Sequence, residues 1–194
     1  MANSASQLLK IAGVGAFAGP VILLASDIFM MVTDRKFEWT IGLWLALLLM
    51  IPAVIGLTYM LAAEGSRLAY LAGCLSFFGL MAGASMQVLF RVHAVLEEQG
   101  ALTVVDQLRN TFKLVASTQM IGLAWPLGLL IFAAAWYSVR RTFLIPLLFV
   151  LAAIAFPIGR IAGSSAGVLI SGVLFVVIFA VVGRQLFAAA DAIE

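Results

Sequence analysis

Long apolar stretches, separated by short polar breaks, run along the whole chain. Each stretch is long enough, or nearly long enough, to cross the ~30 Å hydrocarbon core of a bilayer as an α-helix, which needs about 20 residues. The apolar residues are continuous rather than alternating, and Leu and Ala dominate, so the pattern predicts helices and not strands. The six predicted spans are Leu9–Val32, Thr40–Ala63, Leu68–Phe90, Leu114–Ser138, Thr142–Gly159 and Gly163–Gly183.

Most of the breaks between these spans are short and charged, as at Arg140-Arg141. Connections this short make consecutive helices antiparallel neighbours. The middle connection, residues 91–113, is longer. Gly100 follows two glutamates there as a helix stop, and Thr103 to Asp106 forms a loose capping box for a new helix. We therefore predict that the third and fourth helices extend beyond the membrane and meet in a hairpin at Gly100.

The composition supports the membrane class. Hydrophobic residues make up 64% of the 194 residues and charged residues 10%, whereas soluble domains carry roughly 25% charged residues. A soluble fold of this length could not hide so much apolar surface. A net charge of +2, without a basic stripe, excludes a nucleic-acid-binding protein. We predict one all-α transmembrane domain over residues 1–194, with the lipid bilayer as its solvent.

The basic residues suggest an internal repeat of residues 1–100 and 101–194. Those at the helix ends of one half have counterparts in the other, for example Arg67 and Arg160. Three spans in each half would give the halves opposite orientations, as in the inverted repeats of many transporters. The alternative is that charges simply collect at the ends of transmembrane helices. From the distribution of Lys and Arg we expect both termini in the cytoplasm.

Pairs of glycines four residues apart predict close contacts between helices. Two interpretations stay open, because such pairs can join helices within one chain or between two copies in a homo-oligomer. The pairs are Gly15 with Gly19, Gly79 with Gly83, and Gly163 with Gly167.

Polar side chains inside or at the ends of the spans indicate a site, because their burial is costly unless they face the protein interior. Odd-numbered spans end, and even-numbered spans begin, on one side, so these residues share one leaflet. The opposite half of the bundle is predicted to be nearly free of buried polar groups. We predict a one-sided pocket for a small molecule or an ion, formed by Asp27, Gln87, Arg91, His93, Gln119, Arg160 and Ser164.

Asp27 is the central residue of this predicted pocket. An ion pair with Arg91 or with Arg160 would compensate its charge. The alternatives are an ion pair that only holds helices together, and a proton relay through Asp27 or His93.

The aromatic residues divide into two groups. Trp39, Trp44, Trp136 and Tyr137 lie near span ends and predict an interfacial belt. Trp125 lies at mid-span, where it either lines a cavity or packs in the core, and the core is the favoured interpretation.

Recognisable catalytic and metal-binding motifs are absent from the sequence. There is no phosphate loop, zinc-protease His pair or Cys-x-x-Cys, and the single cysteine, Cys74, excludes an intramolecular disulfide. Ser164 and Ser165 lie among glycines, as a nucleophilic serine often does. Such a serine would need a general base, and the only histidine, His93, lies at the end of the third span. Helix packing therefore explains these glycines better. The sequence therefore identifies no catalytic residue, no metal ligands and no cofactor, and it favours a protein that is not an enzyme.

Two segments, Lys10-Ile11-Ala12-Gly13 and Tyr137 to Pro146, resemble a family of small, uncharacterised six-span bacterial membrane proteins. That resemblance implies a fold and a location in a bacterial inner membrane, and it implies no chemistry. The predicted pocket favours a transporter, a channel or a small-ligand-binding membrane protein. The alternative is a non-catalytic subunit or scaffold of a larger membrane complex.

Overall fold

Six α-helices make up the regular structure of the described part of the chain. The computed structural model describes residues 2–33, 36–101, 103–104, 107, 122–160 and 162–193, and no strand occurs among them. The predicted all-helical fold is confirmed for these residues. In chain order the helices are α1 (Ala2–Val32), α2 (Lys36–Ala63), α3 (Leu68–Glu98), α4 (Ala124–Arg140), α5 (Leu144–Arg160) and α6 (Ser165–Asp191).

Four of the described helices are long and apolar enough to cross a membrane, namely α1, α2, α3 and α6. Helix α5 is also apolar but has 17 residues. Helix α4 has 17 residues as well, and the predicted start of its span at Leu114 lies outside the described residues. Asp106 of the predicted capping box lies outside them too. The glycine stop is confirmed, since α3 ends at Glu98 and Gly100 has a φ of +70°.

The helices form a closed ring. Each described helix packs against its neighbours in sequence, and α6 returns to pack against α1. The rings of Phe17 in α1 and Phe187 in α6 stack with centroids 6.2 Å apart. Helix α2 is the most central, because it also touches α4 and α6. Since α1 and α5 both flank α6, residues near the ends of α1 and α5 meet at the start of α6.

Exposed and buried positions alternate around α1 with the helical period. The exposed apolar residues of this helix recur every three or four positions over its first half, and small residues fill much of the opposite face. The outward residues include Ile11, Val14, Phe17 and Val21, and the buried ones include Leu9, Ala12, Ala16 and Leu23.

Several of the predicted glycine pairs make contacts within the chain. A Cβ atom at Gly15 would lie 2.3 Å from the carbonyl oxygen of Leu49 in α2, and one at Gly79 would lie 2.4 Å from the backbone nitrogen of Trp125. The intramolecular interpretation therefore holds at both positions. Gly163 instead forms part of the turn before α6, with a φ of +74°.

Candidate functional site

A buried ion pair links α1 to the end of α5. Nη2 of Arg160 donates to Oδ1 and Oδ2 of Asp27 at 2.7 and 2.6 Å. The side chain of Asp27 is 1% exposed and that of Arg160 is 24% exposed. A carboxylate this deeply buried needs a compensating charge. Of the two pairings predicted for Asp27, the structure contains the one with Arg160.

Two glycines fix the position of Arg160. A Cβ atom at Gly159 would lie 2.4 Å from the backbone nitrogen of Val168, and one at Gly167 would lie 2.7 Å from the nitrogen of Gly159. The backbones of α5 and α6 therefore touch directly beside the ion pair. The hydroxyl of Ser164 accepts a hydrogen bond from the amide of Gly167 at 3.2 Å and caps α6 at this crossing.

A cavity of about 400 Å³ adjoins Arg160. Its volume lies within the range of ~300–1,000 Å³ that is usual for small-molecule sites. Thr40, Gln87 and Arg160 contribute polar side chains to its described wall. Asp27 is not among the described wall residues and reaches the cavity only through Arg160. The rest of the wall is mostly apolar and includes Leu23, Leu43, Leu80, Trp125 and Phe156.

Trp125 packs in the hydrophobic core and also lines the cavity. Its side chain is 3% exposed, and its ring centroid lies 5.7 Å from that of Phe175 and 6.3 Å from that of Phe179. The same residue lies in the cavity wall beside Gly79. Both interpretations of this tryptophan therefore apply, and its packing makes the inner part of the wall rigid and apolar.

Part of the Arg160 guanidinium is available to a bound molecule. Both of its hydrogen bonds to Asp27 come from Nη2. A guanidinium carries five N–H donors, so three remain on Nε and Nη1. These three have no hydrogen-bond acceptor among the residues that the structure describes.

The other predicted site residues fall into three groups. Gln87 lines the cavity with Arg160. Arg91 and His93 lie farther along α3, outside the described wall, and are partly exposed. Gln119 lies outside the described residues. Binding of a ligand by any of these side chains stays a prediction.

A second polar cluster, which the sequence analysis missed, lies at the opposite end of the bundle. Nε of Arg140 donates to Oε2 of Glu64 at 2.8 Å, and the two η nitrogens donate to Glu64 and to Gln185. The guanidinium carbon also lies 4.5 Å from the ring centroid of Trp136. This cluster ties the α2–α3 turn to α4 and α6.

Two predictions for this opposite end are wrong. Trp136 does not belong to an interfacial belt, because it is 1% exposed and its Nε1 donates to Thr142 Oγ1 at 3.1 Å. The end is also not nearly free of buried polar groups, since Ser6 and Ser66 are buried there. A hydroxyl that finds a partner loses little on burial, and Ser66 accepts from Ser138 at 3.4 Å.

We expect Arg140→Gln to lower the free energy of unfolding by about 1 kcal/mol, because partly exposed ion pairs and cation–π contacts contribute little each. The matched control is Arg141→Gln, since Arg141 lies 5.8 Å from the ring centroid of Tyr137 and is exposed. Denaturant titration of the reconstituted protein measures both variants. Equal stability losses would contradict a linking role for the Arg140 cluster.

Known proteins offer no match from which the role of this site could be inferred. No protein-family model, curated protein or solved structure matches this chain. Within the described ranges, no group of three or more His, Cys, Asp or Glu residues could hold a metal ion. The site is thus a mostly apolar cavity with a few hydrogen-bonding side chains in its wall. One of them is the Arg160 guanidinium, whose charge is compensated by Asp27.

Proposed function

We propose that the protein binds a small molecule in the cavity beside Arg160, as a transporter, channel or ligand-binding membrane protein. The observation that carries this proposal is the position of the ion pair. Asp27 is buried, whereas Arg160 is partly exposed and lines the cavity. Ionisable groups within apolar helices are costly and usually serve a function when they face an internal space. A purely structural pair has no need of an adjoining cavity.

In the proposed arrangement all six helices cross a bacterial inner membrane with both termini in the cytoplasm. The two halves of the chain form an inverted repeat, and α3 and α4 extend outward as a hairpin. The closed ring supports the repeat, because the contact between α3 and α4 has its counterpart in the contact between α6 and α1. Gly15 and Gly79 pack against other helices of the same chain. A homo-oligomer would therefore have to form through other surfaces.

Thiol accessibility tests whether the cavity is open to water. Ala82 lines the cavity on α3. We expect Ala82→Cys, in a Cys74→Ala background, to react with a membrane-impermeant methanethiosulfonate in proteoliposomes. The reaction should be at least about tenfold faster than that of Ile154→Cys, because only a hydrated thiolate reacts readily. Ile154 is the matched control, since it is 53% exposed on the outer face of α5.

Equal, slow reaction at both positions would contradict the proposal. That result would favour the alternative of a non-catalytic subunit or scaffold, which requires no water-accessible cavity. Replacing Cys74 is necessary because this free cysteine is exposed.

A further inference from the structure

We infer that the ligand is an uncharged amphiphile that carries a hydrogen-bond acceptor of the carbonyl type, such as an ester or a ketone, on an apolar body. This inference rests on the proposed function and names the substrate class of the same cavity. Three properties of the wall lead to it, namely its net charge, its supply of donors and the distribution of its polar groups.

The net charge of the site argues for an uncharged ligand. Arg160 is the only ionisable residue in the described wall, and its charge is compensated by Asp27. A charged ligand would therefore add an uncompensated charge to a mostly apolar cavity. Burial of an unpaired charge is far more costly than burial of a hydrogen-bonded neutral group. The wall consequently selects against carboxylates and ammonium groups.

The supply of donors argues for an acceptor on the ligand. The guanidinium can only donate, and three of its N–H groups have no acceptor among the described residues. Gln87 can donate as well as accept, and it lies in the described wall. A ligand that displaces water from the cavity has to supply acceptors to the Arg160 donors, because donors left without acceptors in an apolar space are unfavourable. A ligand carbonyl oxygen would accept from Arg160 and lose little by leaving water.

The distribution of polar groups argues for an amphiphile. Arg160 ends α5, Thr40 lies near the start of α2, and both helix ends lie on the same side of the bundle. Farther from these ends the wall is formed by Leu80 and Trp125. A bound molecule would thus place its acceptor near the helix ends and its apolar body against the tryptophan.

Protection of the Ala82→Cys thiol measures ligand preference. The probes are methyl decanoate, decanoate, decylammonium and decane, compared at equal mole fraction in the bilayer. Methyl decanoate should protect the thiol at about tenfold lower mole fraction than each of the other three, since one hydrogen bond to a charged donor contributes about that factor. The charge argument also predicts a reversal in Asp27→Asn, where the uncompensated Arg160 should make decanoate the best probe.

The double variant Asp27→Leu/Arg160→Met tests the same point without leaving a buried, unpaired charge. It removes both charges and the guanidinium donors, so methyl decanoate should lose about tenfold and approach decane. Equal protection by ester and decane in the parent would overturn the inference, as would stronger protection by decanoate. Protection by none of the probes would overturn it too. In all these cases a reactive Ala82→Cys thiol would leave the proposed cavity intact, whereas an unreactive thiol would refute the proposed function itself.

Discussion

Replacing Arg160 with Met should lower the free energy of unfolding by about 3–5 kcal/mol, the loss that is usual when one partner of a buried ion pair is removed. The reason lies with the partner left behind, because Asp27 is 1% exposed and both of its carboxylate oxygens accept from Arg160. Methionine fills a similar volume, so the loss should report the charge rather than the packing. Denaturant titration of the protein in bicelles provides the measurement.

The double variant Asp27→Leu/Arg160→Met is the control for this expectation. Removing both charges abolishes the penalty, so the double variant should recover most of the stability that the single variant loses. Additive losses in this double-mutant cycle would mean that the two side chains contribute independently, which the observed bonding does not allow.

Gly159→Ala is the second change with a large expected effect, a loss of about 3 kcal/mol. The new Cβ would lie 2.4 Å from the backbone nitrogen of Val168, and backbone atoms cannot move aside as a side chain can. The same methyl would push α5 away from α6 and pull Arg160 from Asp27. The measurement is again denaturant titration, combined with the reactivity of Ala82→Cys.

Gly83→Ala is the matched control for this glycine. Its Cβ would lie 3.2 Å from Cδ1 of Leu47, the end of a flexible side chain, so a small shift relieves the contact. Ala also favours a helix by up to about 1 kcal/mol over Gly. The stability of this variant should therefore stay close to that of the parent. A similar loss in both variants would show that any added methyl is harmful, and the special role of the α5–α6 crossing would be refuted.

The sequence was sufficient to predict that Asp27 needs a charged partner, because one carboxylate within a long apolar helix is costly unless it is paired. Its partner could not be chosen by the same reasoning. Arg91 and Arg160 both follow apolar stretches on the same side, and depth in the bilayer does not distinguish them. The choice depends on the order of the helices around the ring. Only the packing of α1 and α5 on either side of α6 brings Arg160 to Asp27.

The errors at the other end of the bundle have a related cause. Trp136 lies near the end of α4, a position typical of interfacial tryptophans. A tryptophan can nevertheless be buried when its indole N–H finds an acceptor, and Thr142 provides one six residues later. Arg140 was likewise predicted only as a charge at a helix end. Its bonds to Glu64 and Gln185 join segments that are distant in the chain, and no local pattern indicates such contacts.

The cavity was predicted only in outline. Depth alone placed Gln87 and Arg160 in one leaflet, and both line the cavity. Depth could not reveal that the hydroxyl of Ser164 caps α6 by accepting from the amide of Gly167. A serine before an apolar helix is nevertheless a recognisable capping signal. The apolar part of the wall, including Trp125, depends on which helix faces point inward, and these faces become fixed only when the ring closes.

The separation of Asp27 and Arg160 along the chain has a consequence for biosynthesis. The two residues are 133 positions apart. A ribosome that adds about 5–20 residues per second would need roughly 7–27 s to make Arg160 after Asp27. For that interval the carboxylate of a newly made first helix lacks its final partner. Until the fifth helix has been synthesised, that carboxylate must therefore stay hydrated or have its charge compensated by another group.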